Sequence, residues 1–358
     1  MHHSLRFTTR ETRPMLDNSS PQEPPDAPAE SAAVLRVVCA SEAHNVETPY
    51  ATLEHIRDAA LRHNPQVGIH AALAFQSGWF VHWVEGPERA VDALCARVRD
   101  DDRHYGQRIV HLSRGPRLLM TPWSMMLSTN LESPLLMRER VLHLTQQHER
   151  GRQYAPSSVM RRLTAPMQLP EALDLPDPEC YTRVGLCSAG GSEAFDLLRW
   201  LANERELFVD YRRFAGESGL DAGGAFVDQM YGAYALRLIA VARADLLHGL
   251  RRALMQDWAM FALLLCNDPE RNASLLDRVE EAFEGAMSVP EIVLVGFDGD
   301  LVGQALRHGA ALRLNARPAA YADPGRAPTV WRALSPLLKN IEAPPASGWP
   351  TVASAAAR

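Results

Sequence analysis

Between residues 34 and 127 the apolar residues switch repeatedly between the two-residue period of strands and the spacing of helices, and this restricts the fold more than any other feature. The predicted order of elements is β-α-β-β-α-β-β. This order predicts a ferredoxin-like α+β sandwich with both helices on one face of a mixed sheet. The predicted strands are VLRVVCAS (34–41), VGIHAALAF (67–75), WFVHWVEG (79–86), QRIVHLSRGPR (107–117) and LLMTPWSMML (118–127); the predicted helices are YATLEHIRDAALRHN (50–64) and PERAVDALCARVRDD (87–101).

The remainder of the chain separates by composition into tails, a connecting region and a second domain. Both tails are predicted to be disordered, since the N-terminal one is rich in Pro, Ser and acidic residues that cannot build a core. A second alternation of strands and helices predicts a doubly wound α/β domain after the connecting region. The predicted segments are 1–33 (tail), 34–128 (first domain), 129–180 (cap helices and Pro-rich linker), 181–340 (second domain) and 341–358 (tail).

The connecting region begins with an amphipathic helix at 133–150, SPLLMRERVLHLTQQHER, with Ser133 as its cap and Pro134 in its first turn. Its Arg and His residues could suggest an RNA-binding surface. A solvated helix that packs on the sheet is the favoured interpretation. Repeated prolines from about 151 onward predict a linker.

Overall composition excludes several classes of protein. A net charge of −6 and a pI near 6.1 argue against nucleic acid as the main partner. Five scattered cysteines without a Cys-x-x-Cys pair argue against a disulfide framework or a zinc site. The longest apolar run, WAMFALLLC at 258–266, is too short for a membrane span, and the N-terminus has no apolar signal segment. We therefore expect a cytoplasmic protein without a membrane partner.

One histidine stands out in the third predicted strand. Alternation along WFVHWVEG places His82 between Phe80 and Val84 on one face, opposite the face that carries Trp79 and Trp83. A titratable imidazole on an apolar face indicates either a satisfied core histidine or a group that serves a binding site.

Four strings in unbroken order resemble the BLUF family, the blue-light sensors that use FAD. They are RVVCASEA, RHNPQVGIHAALAF, GWFVHWVEGPERAVDALCARVRDDDRHYGQ and PWSM, within residues 34–128. The resemblance implies that FAD binds with its ring between the two helices. By position it implies contacts to the flavin from His63, Asn64, Ile69, Arg103, His104, Trp123 and Met125. From the residues alone, Asn64 could instead cap a helix and Trp123 could be a core residue.

The chain departs from the family at the two positions that its photochemistry needs. Cys39 stands where the family has a tyrosine that donates an electron and a proton, and His82 stands where it has a glutamine that switches its amide. An imidazole cannot reproduce the amide exchange, and a thiol is a weak donor. The resemblance therefore implies a flavin site whose usual photocycle is in doubt, with a flavin-free site as the alternative.

The second domain resembles a degenerate small GTPase. GLCSAGGS (185–192) fits G-x-x-x-x-G-K-[ST] except that Gly191 replaces the lysine, and the only lysine of the chain is Lys339. In VGFDGDL, Phe297 and Asp298 replace the Asn and Lys of the guanine-reading motif. We expect a site that does not bind GTP tightly, and a structural strand–helix turn at 190–193 is the favoured interpretation.

Taken together, these features predict a sensory or regulatory protein that is not an enzyme, because no nucleophile elbow, metal-ligand spacing or cyclase signature is present. It would signal by contact with an unidentified regulatory protein, and self-association of the chain is left open. A flavin-free interaction scaffold and a residual nucleotide-binding switch are the alternatives.

Overall fold

The computed structural model describes residues 33–44, 49–128, 132–152, 154–167, 169, 181–216, 219–231, 234–286 and 288–341. Apart from residues 33 and 341, the tails predicted to be disordered lie outside these residues. The described residues belong to one compact unit, which starts at Ala33. Its N-terminal half (33–169) and C-terminal half (181–341) are treated in turn.

The N-terminal half follows the predicted order of elements. The first four strands form an antiparallel sheet in the order β4-β1-β3-β2, and β5 joins β2 in parallel. The elements are β1 (Val34–Ala43), α1 (Pro49–His63), β2 (His70–Gln76), β3 (Trp79–Gly86), α2 (Glu88–Arg99), β4 (His104–Gly115), β5 (Trp123–Ser128), α3 (Pro134–Glu149) and α4 (Pro156–Thr164).

Helices cover both faces of this sheet. On one face, Leu53 of α1 and Val91 of α2 share a core with Val37 of β1, as predicted. On the other face, α3 and α4 pack against Val38 and Val81 through residues such as Val141. Helix α3 begins at the predicted cap, since the Ser133 hydroxyl accepts the backbone N–H of Leu135 at 3.3 Å. Helix α4 lies within the stretch predicted to be a linker.

Strand β2 starts three residues later than predicted, and the reason is local. Residues Pro65–Val67 form a 3₁₀ turn that ends at Gly68, whose φ of 70° lies in the left-handed region that favours glycine. Gly86 lies against this turn, because a Cβ there would be 3.1 Å from the Gly68 carbonyl oxygen and 3.2 Å from Ile69 Cγ1. Glycine at position 86 therefore allows the end of β3 to approach Ile69.

Glu85, which precedes Gly86 and Pro87 at the end of β3, has a structural role. Its buried carboxylate accepts the backbone N–H groups of Leu118 and Leu119 at 2.7 and 2.9 Å, and the indole N–H of Trp83 at 3.0 Å. Burial raises the pKa of Glu85 despite these donors. The carboxylate thereby fixes the segment that leads into β5.

The C-terminal half is a mainly parallel sheet. Strands β12, β11, β10, β6 and β9 are parallel neighbours, and β8 and β7 continue the sheet antiparallel. Its elements are β6 (Thr182–Ser188), α5 (Glu193–Arg205), β7 (Asp210–Gly216), β8 (Gly219–Tyr231), β9 (Tyr234–Val241), α6 (Gly249–Met255), β10 (Met260–Leu264), α7 (Pro269–Phe283), β11 (Glu291–Val295), α8 (Gly299–Ala311), β12 (Ala316–Pro318) and α9 (Ala327–Leu338).

Both faces of this second sheet are covered as well. One core includes Leu197 of α5 and Leu334 of α9, and the other includes Leu275 of α7 and Val302 of α8. Helices on both faces of parallel strands give the doubly wound arrangement. Across the described residues, no helix combines the length and hydrophobicity that crossing a bilayer requires.

The two halves share a single sheet of 12 strands. Strand β5 pairs antiparallel with β7, in a register that places Met126 opposite Phe214 and Ser128 opposite Arg212. The backbone edge of β5 that does not pair with β2 therefore pairs with a strand of the C-terminal half.

Candidate functional site

The residues singled out in the sequence meet on the face of the N-terminal sheet that carries α1 and α2, here called the helix face. Phe80 and Val84 contribute to its core together with Trp123 and Met125, whereas Trp79 and Trp83 lie in the core on the opposite side. The alternation predicted for β3 is confirmed, and His82, between Phe80 and Val84, belongs to the helix face.

Cys39 and His82 are direct neighbours across β1 and β3 in the antiparallel register. The His82 ring lies edge-on to the Trp123 ring, with 6.5 Å between their centroids. Since side chains opposite each other in such a pair are close, the two residues that depart from the family pattern form one spot on the helix face.

Both of these side chains are held in their neutral forms. Burial, with a smaller effect from the charge of His104, lowers the pKa of His82 to about 4. Burial raises the pKa of the Cys39 thiol to about 12, although a hydrogen bond from Gln107 opposes this rise. Near neutral pH the pair therefore offers a neutral imidazole and a protonated thiol.

Asn64 is buried and bonds to the segment before β5. Its side-chain N–H donates to the carbonyl oxygen of Pro122 at 3.3 Å, while its backbone carbonyl accepts from Val67 and Ile69. Its φ of −59° and ψ of −46° are those of a right-handed helix, and it makes no side-chain capping bond. Asn64 thus links α1 to the residue that precedes Trp123.

The remaining predicted contact residues divide into an inner and an outer group. Ile69 and Met125 are fully buried in the core of the helix face. His104 is partly buried and lies edge-on to Phe80, at 6.2 Å between ring centroids. His63 is exposed, and the Arg103 side chain is 43% exposed and bound to Asp101, with Nε donating to Oδ1 at 2.8 Å.

Sequence reasoning missed Gln107. Its side-chain N–H donates to the Cys39 sulfur at 3.4 Å. Cys39 pairs with Ile109 across β1 and β4, so Gln107, two residues along β4, lies diagonally opposite Cys39 on the same face. The one available signal was a glutamine near the start of a strand that would pair with β1.

Two buried polar atoms on this face test whether a flavin fits. The indole N–H of Trp123 and Nδ1 of His104 have no hydrogen-bond partner among the described residues. Buried polar groups are normally paired, so these atoms retain capacity for a ligand. Ile69, Phe80 and Met125 add the apolar walls that an isoalloxazine ring needs. The residues present fit the ring of FAD.

The loop between β6 and α5 borders a second candidate site, an open cleft of about 420 Å³ that includes Ser188, Gly191, Arg243 and Arg278 among its lining residues. The backbone N–H of Gly191 donates to the carboxylate of Glu193 at 2.8 Å. Arg243 donates to the Ala189 carbonyl at 2.9 Å, and Arg278 donates to the Arg243 carbonyl at 3.3 Å. Two backbone groups of the loop, the Gly191 N–H and the Ala189 carbonyl, are thus hydrogen-bonded to side chains of the protein itself.

The segment after β11 is arranged in the same way. Asp298 caps α8 by accepting the backbone N–H groups of Asp300 and Leu301 at 2.8 and 3.2 Å, and Phe297 is 51% exposed. Among the described residues, no three His, Cys, Asp or Glu side chains are grouped in a way that could hold a metal ion.

The match to a protein-family model lies in the N-terminal half. The model of the family described as "BLUF: Sensors of blue-light using FAD" matches residues 34–126. The photoactivated adenylate cyclase subunit beta of Euglena gracilis is 32% identical over 116 residues, which cover 32% of this chain and 14% of that protein. The subunit of Euglena longa is 30% identical with the same coverage. The chain spans about 14% of the length of these curated relatives.

Similar solved structures include BlrB, a BLUF protein in its dark state, at 21% identity and a TM-score of 0.25 over 32% of this chain and 82% of that one. BlrP1 of Klebsiella pneumoniae with FMN and cyclic diGMP has 13% identity and a TM-score of 0.26 over 79% and 76% of the two chains. By the family match and the sequence relatives, residues 34–126 form a BLUF domain, a member of the domain family described as sensors of blue light using FAD.

Proposed function

We propose that this BLUF domain binds FAD on the helix face but does not form the usual red-shifted photoproduct. The observation that carries the proposal is the direct pairing of Cys39 with His82, in the same core face as Trp123. The two positions that normally hold the reactive tyrosine and glutamine are thus adjacent and both replaced.

Binding and switching depend on different residues. When bound, FAD supplies the absorption of blue light. Asn64, Ile69 and Met125 lie in a buried, fixed arrangement that favours retention of the ring, and the Trp123 indole N–H is available as a donor. None of these four positions departs from the family pattern, which supports the retention of binding.

The replaced positions lack the chemistry of switching. A neutral imidazole offers one donor and one acceptor, whereas a glutamine amide offers two donors and a carbonyl acceptor and can rotate to exchange them. Cys39 carries a thiol, which burial keeps neutral and which accepts a hydrogen bond from Gln107. It therefore lacks the phenol group that donates an electron and a proton. The switching amide and its electron donor are therefore both missing.

We further propose that the C-terminal half is a GTPase-like domain that passes signals by contact and catalyses no reaction. Its doubly wound sheet is the arrangement that the resemblance implies, with Asp268 capping α7 after the buried strand β10. The loop lysine is absent, and the Gly191 N–H and the start of α8 are bonded to Glu193 and Asp298. These features support an output surface for a regulatory protein instead of a nucleotide switch.

The light-induced difference spectrum of the flavin-loaded protein tests the first proposal. We expect no red-shifted product from the wild type, from Cys39→Tyr or from His82→Gln, and a photoproduct from the double variant. Each single variant is the control for the other, because the photocycle needs both groups.

Two results would contradict it. A full red shift in the wild type would show that Cys39 and His82 support the photocycle. A colourless wild type that also refuses added FAD would support the flavin-free scaffold instead.

A further inference from the structure

Strand β5 has two faces that look toward different parts of the molecule. Trp123 and Met125 belong to the helix face, while Met126 lies in the core on the opposite side, together with Phe214 and Leu250 of the C-terminal half. Ser124 is 1% exposed and alternates with Trp123, so its side chain lies on that opposite side.

The start of α6 contacts this opposite side directly. The backbone N–H of Leu250 donates to the Ser124 hydroxyl at 3.1 Å, so a side chain of β5 satisfies one of the N–H groups that the first turn of a helix leaves unpaired. The residue before it, Gly249, approaches Thr121 so closely that an added Cβ would lie 2.3 Å from the Thr121 hydroxyl oxygen and 3.2 Å from its backbone nitrogen.

Thr121 also bonds to Trp123. Its hydroxyl donates to the Trp123 carbonyl oxygen at 3.2 Å. On the other side of the sheet, Asn64 donates to the Pro122 carbonyl at 3.3 Å. The backbone from Thr121 to Ser124 is therefore held between a residue of the flavin site in front and the first residues of α6 behind.

We infer that Gly249 and Ser124 position Trp123 in the flavin site from behind the sheet, so that the C-terminal half tunes flavin binding. The inference rests on the proposed FAD site. Because coupling between two sites is reciprocal, a change at the start of α6 alters FAD affinity by the same factor by which FAD alters the packing of α6.

Gly249→Ala tests this positioning role. In an ordinary helix the substitution favours folding, since alanine has the higher helix propensity, so a loss here identifies the clash with Thr121. We expect FAD to bind about tenfold more weakly, within the usual range of coupling between sites, and the flavin absorption maximum to shift. Thr121→Ala in the same chain removes the oxygen nearest the new Cβ and should restore much of the affinity.

Gly303→Ala in α8 is the matched control. An added Cβ there would meet only an Arg307 nitrogen at 3.5 Å, an ordinary contact. FAD affinity and the flavin spectrum should stay as in the wild type. Should Gly249→Ala fail to fold, Ser124→Ala, which removes only the acceptor for Leu250, decides the question by the same two readouts.

Hydrogen exchange of the apoprotein separates this inference from the proposed function. Faster exchange of the 121–128 peptide in Gly249→Ala but not in Gly303→Ala supports the positioning role even in a wild type that does not bind FAD, a result that by itself contradicts only the proposed function. Unchanged exchange together with unchanged FAD affinity overturns the inference.

Discussion

Family resemblances imply a ligand both at the helix face of the N-terminal half and at the β6–α5 loop of the C-terminal half. The two regions differ in whether their polar groups already have hydrogen-bond partners. On the helix face, buried atoms of Trp123 and His104 have no partner among the described residues. In the loop, the N–H of Gly191 is bonded to Glu193. A site keeps its binding capacity where polar groups remain unpaired, since pairing is what a ligand contributes.

The two sites also differ in where substitution has occurred. On the helix face, the family resemblance implies that the replaced residues, Cys39 and His82, are those of the reaction, whereas the binding positions keep the residue types of the family. In the GTPase-like domain proposed for the C-terminal half, the lysine absent from the loop would be a binding group, because it would neutralise phosphate charge. Loss of a reactive group and loss of a binding group have different measurable consequences, which the following predictions separate.

The largest expected effect concerns burial. Trp123 is 1% exposed, so Trp123→Ala should lower the free energy of unfolding by about 3–5 kcal/mol through lost packing and a cavity. Gly191→Ala, in the exposed loop, should change it by less than about 1 kcal/mol, because an added Cβ would meet only Glu193 atoms at 3.5 Å or more. Urea unfolding measures both, and similar losses would contradict the proposed contrast between a packed and an open site.

Ligand-induced stabilisation provides the next contrast. At a FAD concentration of 100 times Kd, binding should stabilise the fold by about 2.7 kcal/mol, while GTP should give no thermal shift. Asn64→Ala should weaken FAD binding by about tenfold through the lost bond to Pro122, whereas Gln66→Ala, which alters an exposed neighbour, should leave it unchanged. Sub-micromolar GTP binding that Gly191→Ala leaves intact would show that the GTPase-like alignment is wrong.

Acid should destabilise the N-terminal half through two histidines, of which His111 is buried and His82 is partly buried. Burial is the main cause that lowers the pKa of His82 to about 4 and that of His111 to about 3. Both stay neutral in the folded state, while the unfolded chain takes up protons below about pH 6.5, so the stability they contribute is complete above that pH and is lost as the pH falls.

His82→Gln isolates one of these two contributions. It should reduce the loss of stability between pH 6.5 and 4 by on the order of 2 kcal/mol, since one titrating group is removed. His63→Gln, at an exposed position at the end of α1, is the control for the His-to-Gln exchange itself. An unchanged slope in His82→Gln would show that protonation of this imidazole does not oppose folding.

The smallest expected effect belongs to the loop. Glu193→Ala removes the acceptor of the Gly191 N–H and a favourable charge in the first turn of α5, which together should cost about 1 kcal/mol or less at this partly exposed position. Calorimetry with GTP should still detect no tight binding, because the lysine remains absent. Tight GTP binding by this variant would indicate that the Glu193 carboxylate alone prevents GTP from binding to the loop.

Structural features that depend on residues close together in the sequence are predictable from it, whereas contacts between distant segments are not. The order of elements, the helix face of His82 and the cap at Ser133 follow from local periodicity and local hydrogen bonds, and the structure has them as predicted. Strand β2 begins later than the alternation predicts, because the 3₁₀ turn that ends at Gly68 includes Val67, whose apolar side chain is equally typical of a strand.

Contacts between distant segments were not predictable in the same way. Gln107 reaches Cys39 only when β1 and β4 pair in the register that places Ile109 opposite Cys39, and no periodicity within β4 encodes that register. The two arginines of the loop cleft come from residues 243 and 278, far along the chain from the loop itself.

The sequence by itself determined on which face of β3 His82 lies, because side-chain alternation is local, and its resemblance to the BLUF family implies that Cys39 and His82 stand at the positions of the reactive pair. Only the tertiary structure decided that β5 pairs with β7 and that the start of α6 lies on the face of β5 opposite Trp123. An exposed strand edge can pair with many partners, and the choice depends on packing of the whole chain, since backbone hydrogen bonds carry no sequence information of their own.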